Sequence, residues 1–208
     1  MSTSQNIAII DYGLGNLYSI YKAFAYQEIP AHITDNPKTL SEASALVLPG
    51  VGAFEDGMRG LTERGFTDEI KRFAVSGKPI LGVCLGMQML MDESFEMGHH
   101  QGLGLISGSV RPFENKENTE HIKIPHMGWN TVTGFSPGTY YFVHSFYIEP
   151  KNPAYQVGTT RYGNYEFCSV IQKDSILGCQ FHPEKSALAG LNLLKKFAQQ
   201  VRHEGGRV

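Results

Sequence analysis

Short apolar runs separated by amphipathic stretches fill the first half of the chain. Residues 6–10, 31–34, 45–48 and 79–83 read as strands, each followed by Gly, Pro, Asp or Asn punctuation or, in the last case, by a cysteine-centred turn. Residues 17–27 carry helical spacing, and 85–91, rich in unbranched side chains, open a second helix directly after the fourth strand. Strands alternating with helices imply crossover connections, so the expected fold class is α/β: a doubly wound, largely parallel sheet flanked by helices. Beyond about Ser94 the periodicity shifts to two, in 139–143, 155–160, 167–172 and 176–181, which makes the second half strand-rich. Residues 187–201 place Leu191, Leu194, Phe197 and Val201 at helical spacings, with Lys195, Lys196, Gln199 and Gln200 left for water. That last helix should pack back on the sheet. The polar stretch 114–120 reads as an exposed loop.

Composition changes this picture little and closes several alternatives. A chain of 208 residues fits a single domain spanning 1–208. At this length a compact fold buries roughly 70% of the unfolded surface, enough to hold without disulfide or metal staples. Lys plus Arg number 18 against 20 Asp plus Glu, a net charge of −2, so the chain presents no strong field for nucleic acid or anionic lipid. The first residues lack the basic start and cleavage pattern of a signal peptide, and no run approaches the ~18 apolar residues of a membrane span. Cys84, Cys168 and Cys179 form an odd set without C-x-x-C spacing, which suits a reducing, cytoplasmic setting better than a disulfide framework or a zinc site.

Candidate chemistry centres on Gly82-Val83-Cys84-Leu85-Gly86. Strand, tight turn and helix, with glycine on both sides of the central residue, is the arrangement of a nucleophile elbow. The sulfur would sit at a helix start, where the dipole and free N–H groups favour thiolate, and the Leu85 N–H would point toward a developing oxyanion. A thiolate nucleophile needs a base. Of eight histidines, His126, His144 and His182 border strand-like runs, and only His182 has a carboxylate close behind it, in His182-Pro183-Glu184. Two glycine-rich stretches, 11–18 and 49–54, resemble nucleotide-binding loops but lack their endings: Tyr18 stands for the third glycine of the first, and the second has no G-K-[ST]. The glycines of 49–54 suit a strained turn that aims backbone N–H groups at a reacting carbonyl.

Gly82-Val-Cys-Leu-Gly-Met-Gln88 together with Phe181-His-Pro-Glu-Lys-Ser186 resembles the triad type of glutamine amidotransferase domain. Residues 10–19, Pro49-Gly-Val-Gly-Ala-Phe54 and Pro125-His-Met-Gly-Trp-Asn130 are similar to the branch of that family that supplies glutaminase subunits to imidazole glycerol phosphate synthases. Met87 and residues 11–16 separate this branch from its relatives. The resemblance implies Cys84 as nucleophile, His182 as general acid/base and Glu184 as its orienter, with Gly52 and Leu85 supplying oxyanion-hole N–H groups. It further implies that Gln88, Glu96, His144, Ser145 and Phe146 hold glutamine; Phe146 stands where the family often has tyrosine. No metal or organic cofactor is implied. The implied partner is a cyclase, a (β/α)8 barrel bound as a heterodimer, which would dock on Asn16, His126, Met127, Gly128, Trp129, Asn130 and Lys185. A glutaminase subunit for another pathway, a stand-alone cysteine peptidase or hydrolase on the same elbow, and a non-catalytic binding module of the same fold remain the alternatives.

Overall fold

The computed structural model describes residues 6–115 and 121–203, so most of the 114–120 stretch lies outside the described residues. In chain order the elements are β1 (Ile7–Ile10), α1 (Leu17–Ala25), β2 (Ala31–Thr34), β3 (Ala45–Leu48), α2 (Phe54–Glu63), α3 (Phe66–Val75), β4 (Ile80–Val83) and α4 (Leu85–Met89). The second half adds β5 (Glu93–Ser94), β6 (His100–Gln101), β7 (Gly108–Pro112), β8 (His126–Thr131), β9 (Thr139–His144), β10 (Phe146–Pro150), β11 (Gln156–Tyr162), β12 (Tyr165–Lys173), β13 (Ile176–Cys179) and α5 (Ala187–His203). Among the described residues, eleven strands form one sheet ordered β2-β1-β3-β4-β13-β12-β10-β7-β5-β6, with β11 on β12. The β2-β1-β3-β4-β13 half is parallel, and β12, β10 and β7 continue it antiparallel. β8 and β9 form a separate antiparallel ribbon, with His126 opposite His144.

Alternation along the buried strands explains the doubly wound form. Ala8, Ile10, Leu46, Leu48 and Ile80 face one side, where they meet Phe54 and Leu61 of α2, Phe66, Ile70 and Phe73 of α3, and Met87 of α4. Ile7, Ile9, Ala45, Val47, Leu81 and Val83 face the other, against Ile20 and Phe24 of α1 and Leu193, Leu194 and Phe197 of α5. Each fully buried side chain of this size contributes roughly 1.5–3 kcal/mol. The expected α/β class holds. α2 and α3 were not anticipated, although their buried positions recur at spacings of three and four; Gly57 and Gly60 weaken the helical signal there.

Two strand ends carry the site. α4 stops two residues earlier than its composition suggests, because Leu103, Leu105 and Ile106 donate their N–H groups to the Met89 and Leu90 carbonyls and replace the next helical turn. Its start is pressed onto β3: a Cβ at Gly86 would stand 1.8 Å from the Leu48 carbonyl oxygen. The substitution Gly86→Ala must therefore push α4 off the sheet, with a loss at least as large as the ~1–3 kcal/mol of ordinary over-packing. Urea unfolding should show this loss; an unchanged midpoint would contradict the described contact.

Candidate active site

Cys84 joins β4 to α4 at φ 54° and ψ −111°, a left-handed conformation that side chains rarely adopt. Its N–H donates to the Cys179 carbonyl at 2.8 Å, and its carbonyl accepts from the Gln88 N–H at 3.2 Å. Because β13 lies parallel beside β4, with Cys179 level with Val83, residues almost a hundred positions further on emerge next to the sulfur. Gln180, Phe181 and His182 are all buried there. His182 is fixed by its N–H to the Tyr141 carbonyl at 2.9 Å and by the Ser186 hydroxyl donating to its own carbonyl at 2.6 Å.

The imidazole pairs its Nδ1 with Glu184 Oε1 at 2.8 Å, both side chains almost fully enclosed. The turn Pro183–Lys185 is 3₁₀ rather than extended, yet it still brings the carboxylate onto the ring. Nε2 is buried without a formed hydrogen bond and lies toward Cys84. Burial alone would push His182 down, but Cys84 and Glu184 outweigh it and raise the pKa from its ordinary 6.5 to about 10. The other two candidate bases go the opposite way: burial lowers His126 to about 4 and His144 to about 3. Only His182 is placed to carry a proton beside the sulfur.

A cleft of about 300 Å³ opens over this pair, and its walls include Gly52, Leu85, Gln88, Glu96, His144, Ser145 and Phe146. All five residues expected to hold a ligand therefore border one space. Glu96 Oε2 accepts the Phe54 N–H at 2.8 Å, at the start of α2, and burial raises its pKa. Gly52 takes φ +95° at the cleft wall, open to the space in front of it. Among the described residues no group of three or more His, Cys, Asp or Glu side chains is arranged for a metal ion.

Two contributors escaped the sequence reading. Gln180 is wholly buried and points its Nε2 at Cys84 Sγ, 3.8 Å away. The only signal was a polar residue two positions before His182 in an apolar strand run. Tyr12, in the stretch that resembled a nucleotide loop, donates its hydroxyl to the Pro49 carbonyl at 2.7 Å and so pins the start of residues 49–54. The residues expected at a partner surface divide. Met127 (56% exposed), Trp129 (55%), Asn16 and Lys185 face solvent, while His126 (3%) is buried and Asn130 turns its side chain inward. Trp129 meets the Tyr141 ring at 6.0 Å, and the Lys185 ammonium lies 6.0 Å from the same ring.

The family model for Glutamine amidotransferase class-I matches residues 8–201. The chain belongs to the class-I glutamine amidotransferases. Within this family it is 44% identical to a protein named imidazole glycerol phosphate synthase subunit HisH 1 from Legionella pneumophila (strain Lens), over 93% of this chain and 99% of the relative. A HisH subunit of the same synthase from Syntrophotalea carbinolica is 46% identical over 92% and 98%. Solved structures share the fold at low identity. A crystal structure of a glutamine amidotransferase gives a TM-score of 0.72 at 18% identity over 93% of this chain and 98% of that one. A structure of PurLQS from Thermotoga maritima gives 0.71 at 16%, over 96% and 100%.

The opposed influences on His182 are testable. In Cys84→Ala the sulfur's contribution disappears while burial remains, so NMR titration should find the His182 pKa well below the wild-type value. In the wild type the raised pKa also ties stability to this proton: the contribution is fully present below about pH 6.5 and is lost as pH rises through about 10. An unchanged His182 pKa in Cys84→Ala would separate the imidazole from the sulfur.

Proposed function

We propose that this amidotransferase is the glutaminase subunit of imidazole glycerol phosphate synthase and works in histidine biosynthesis. The observation that carries the reading is the buried Cys84, His182 and Glu184 set at the ends of two adjacent parallel strands, under a cleft of small-molecule size. Its relatives' names supply the pathway. The Cys84 thiolate attacks the carboxamide carbon of glutamine, and the oxyanion is received by the N–H groups of Gly52 and Leu85. Protonated His182 gives its proton to the leaving nitrogen, so ammonia departs and a glutamyl thioester remains on Cys84. His182 then takes a proton from water, which attacks the thioester and releases glutamate. Glu184 holds the imidazole throughout. Acyl transfer of this kind needs neither metal nor organic cofactor.

Gln88 and Glu96 take the ammonium end of glutamine, and the backbone of residues 143–146 takes its carboxylate. Phe146 contributes backbone only, lacking the hydroxyl of tyrosine. The ammonia passes to a cyclase partner, a (β/α)8 barrel that docks as a heterodimer over the cleft and keeps the product from bulk water. Met127 and Trp129 offer the apolar anchors of that surface, with Asn16 and Lys185 at its rim. His126 and Asn130 support the surface from beneath. Docking orders residues 49–54, whose glycines allow a backbone N–H to be presented or withdrawn. The single domain spans the chain, and three unpaired cysteines fit a reducing cytoplasm.

Ammonia release from glutamine should be slow for the isolated chain and should rise when the cyclase and its sugar-phosphate ligand are added. Cys84→Ala should abolish it while partner binding persists. A glutamine-derived electrophile should modify Cys84 alone, because burial pushes the Cys168 thiol to about 12 and Cys179 well above its ordinary value. Trp129→Ala and Lys185→Ala should weaken cyclase affinity. Full turnover without a partner would refute the dependence, and labelling of Cys168 or Cys179 with loss of activity would refute the nucleophile.

A further inference from the structure

Behind the cleft wall, a row of hydrogen bonds runs from β8 to the floor of the site. Asn130 Nδ2 reaches His126 Nε2 at 3.3 Å, His126 Nδ1 reaches His144 Nε2 at 3.0 Å, and His144 Nδ1 reaches the Phe146 carbonyl at 2.7 Å. Two backbone groups settle every proton in this row. The Phe146 carbonyl only accepts, so His144 Nδ1 must carry the hydrogen and its Nε2 the lone pair. His126 Nδ1 must then donate, which leaves its own Nε2 as acceptor. At the far end Asn130 Oδ1 accepts the Thr131 N–H at 2.8 Å, which turns the amide so that Nδ2 is the donor, its second hydrogen going to the Arg161 carbonyl at 3.0 Å. Such an order requires one proton on each ring. Burial supplies that condition by holding both imidazoles neutral at ordinary pH. The His126 ring is clamped between Phe142 and Tyr162, with centroids at 4.8 and 4.1 Å.

The row ends on an oxygen that does a second job. The Phe146 carbonyl also accepts from Gln88 Nε2 at 3.0 Å, and the other Gln88 Nε2 hydrogen goes to Gln180 Oε1 at 3.1 Å. Both amide hydrogens of Gln88 are thereby committed, and its Oε1 is the atom left without a partner among the described residues, in a side chain that lines the cleft. A reversed amide would set two oxygens against each other at Phe146.

We propose that Asn130, His126 and His144 are positioning residues for glutamine binding. Their one-way row fixes the place of the Phe146 carbonyl, and that oxygen orients the Gln88 amide so that Oε1 receives the α-ammonium of glutamine. This deepens the glutaminase reading and rests on it for the identity of the ligand. Loss of a donor in the row leaves His144 Nε2 without its partner, loosens the ring that holds the Phe146 carbonyl and so shifts the place of the Gln88 amide. The cost falls on binding glutamine rather than on the thioester chemistry.

The test joins a measurement that needs no turnover to one that does. Imidazole ¹⁵N spectra of the full-length wild-type chain should show His144 and His126 both as the neutral Nδ1–H tautomer. In His126→Phe, which keeps a flat ring between Phe142 and Tyr162 but no donor, His144 should stay Nδ1–H while its Nδ1 proton exchanges faster with solvent, because the grip on the Phe146 carbonyl is looser. In the complex formed with saturating cyclase, so that any weakening of docking does not count, His126→Phe should raise KM for glutamine about tenfold and leave kcat within about threefold. His126→Asn, whose amide can place a donor where Nδ1 stood, should recover most of the affinity. An Nε2–H tautomer at His144 in the wild type overturns the proposal even if the variants fail to fold. So does a folded His126→Phe with unchanged KM, or a fall in kcat alone that His126→Asn does not rescue. Should the wild type release no ammonia from glutamine, the glutaminase reading falls, while the spectra still judge the row itself.

Discussion

A cysteine at φ 54° is strained by ~1–3 kcal/mol and persists only where its surroundings leave the backbone no other course. Here the surroundings are close backbone packing. Gly82 lets the strand run beneath the first turn of α4, where a Cβ would come within 2.9 Å of Gly86 and Met87 backbone atoms. Gly86 lets that turn lie directly on the Leu48 carbonyl. The Cys84 N–H is held by the Cys179 carbonyl, the last residue of β13. The strained residue is thus tied to the strand that delivers the base.

Histidine shows how far environment can divide one side chain into different tools. His182 has a carboxylate on one nitrogen and a sulfur toward the other, and is held cationic against its burial. His126 and His144 have only neutral neighbours on their ring nitrogens and are held uncharged by the same burial. Aromatic packing completes the difference, with Phe142, Tyr162, Phe113 and Phe167 around the neutral pair. One enclosed region therefore contains a proton carrier and two fixed dipoles.

Much of this was legible along the chain, and the reasons are physical. Strands β1, β3 and β4 are buried on both faces, so they read as unbroken apolar runs. The elbow was legible because its steric demand falls on neighbouring residues, Gly82 and Gly86. His182 could be told from its rivals because its orienter is local, two residues away. What stayed hidden depends on pairing between distant segments. Nothing along the chain says that β13 inserts beside β4, which is what brings Gln180 to the sulfur. His126 and His144 meet only through the register of the β8–β9 ribbon, which also turns His126 and Asn130 inward while Trp129 stays out. Tyr12 looked like part of a glycine loop because its role, holding the Pro49 carbonyl, is tertiary.

The strand order has a bearing on how such proteins diverge. The chain leaves the parallel sheet after β4 and α4, builds β5 through β12 beyond it, and returns to β4's side as β13. Departure and return are adjacent, so the nucleophile and the base belong to a fixed frame while the excursion between them hangs from it. Changes of length within that excursion, away from the Tyr141 carbonyl that holds His182, leave the distance between sulfur and imidazole untouched. Folds that overlay well at 16–18% identity are what such an arrangement permits.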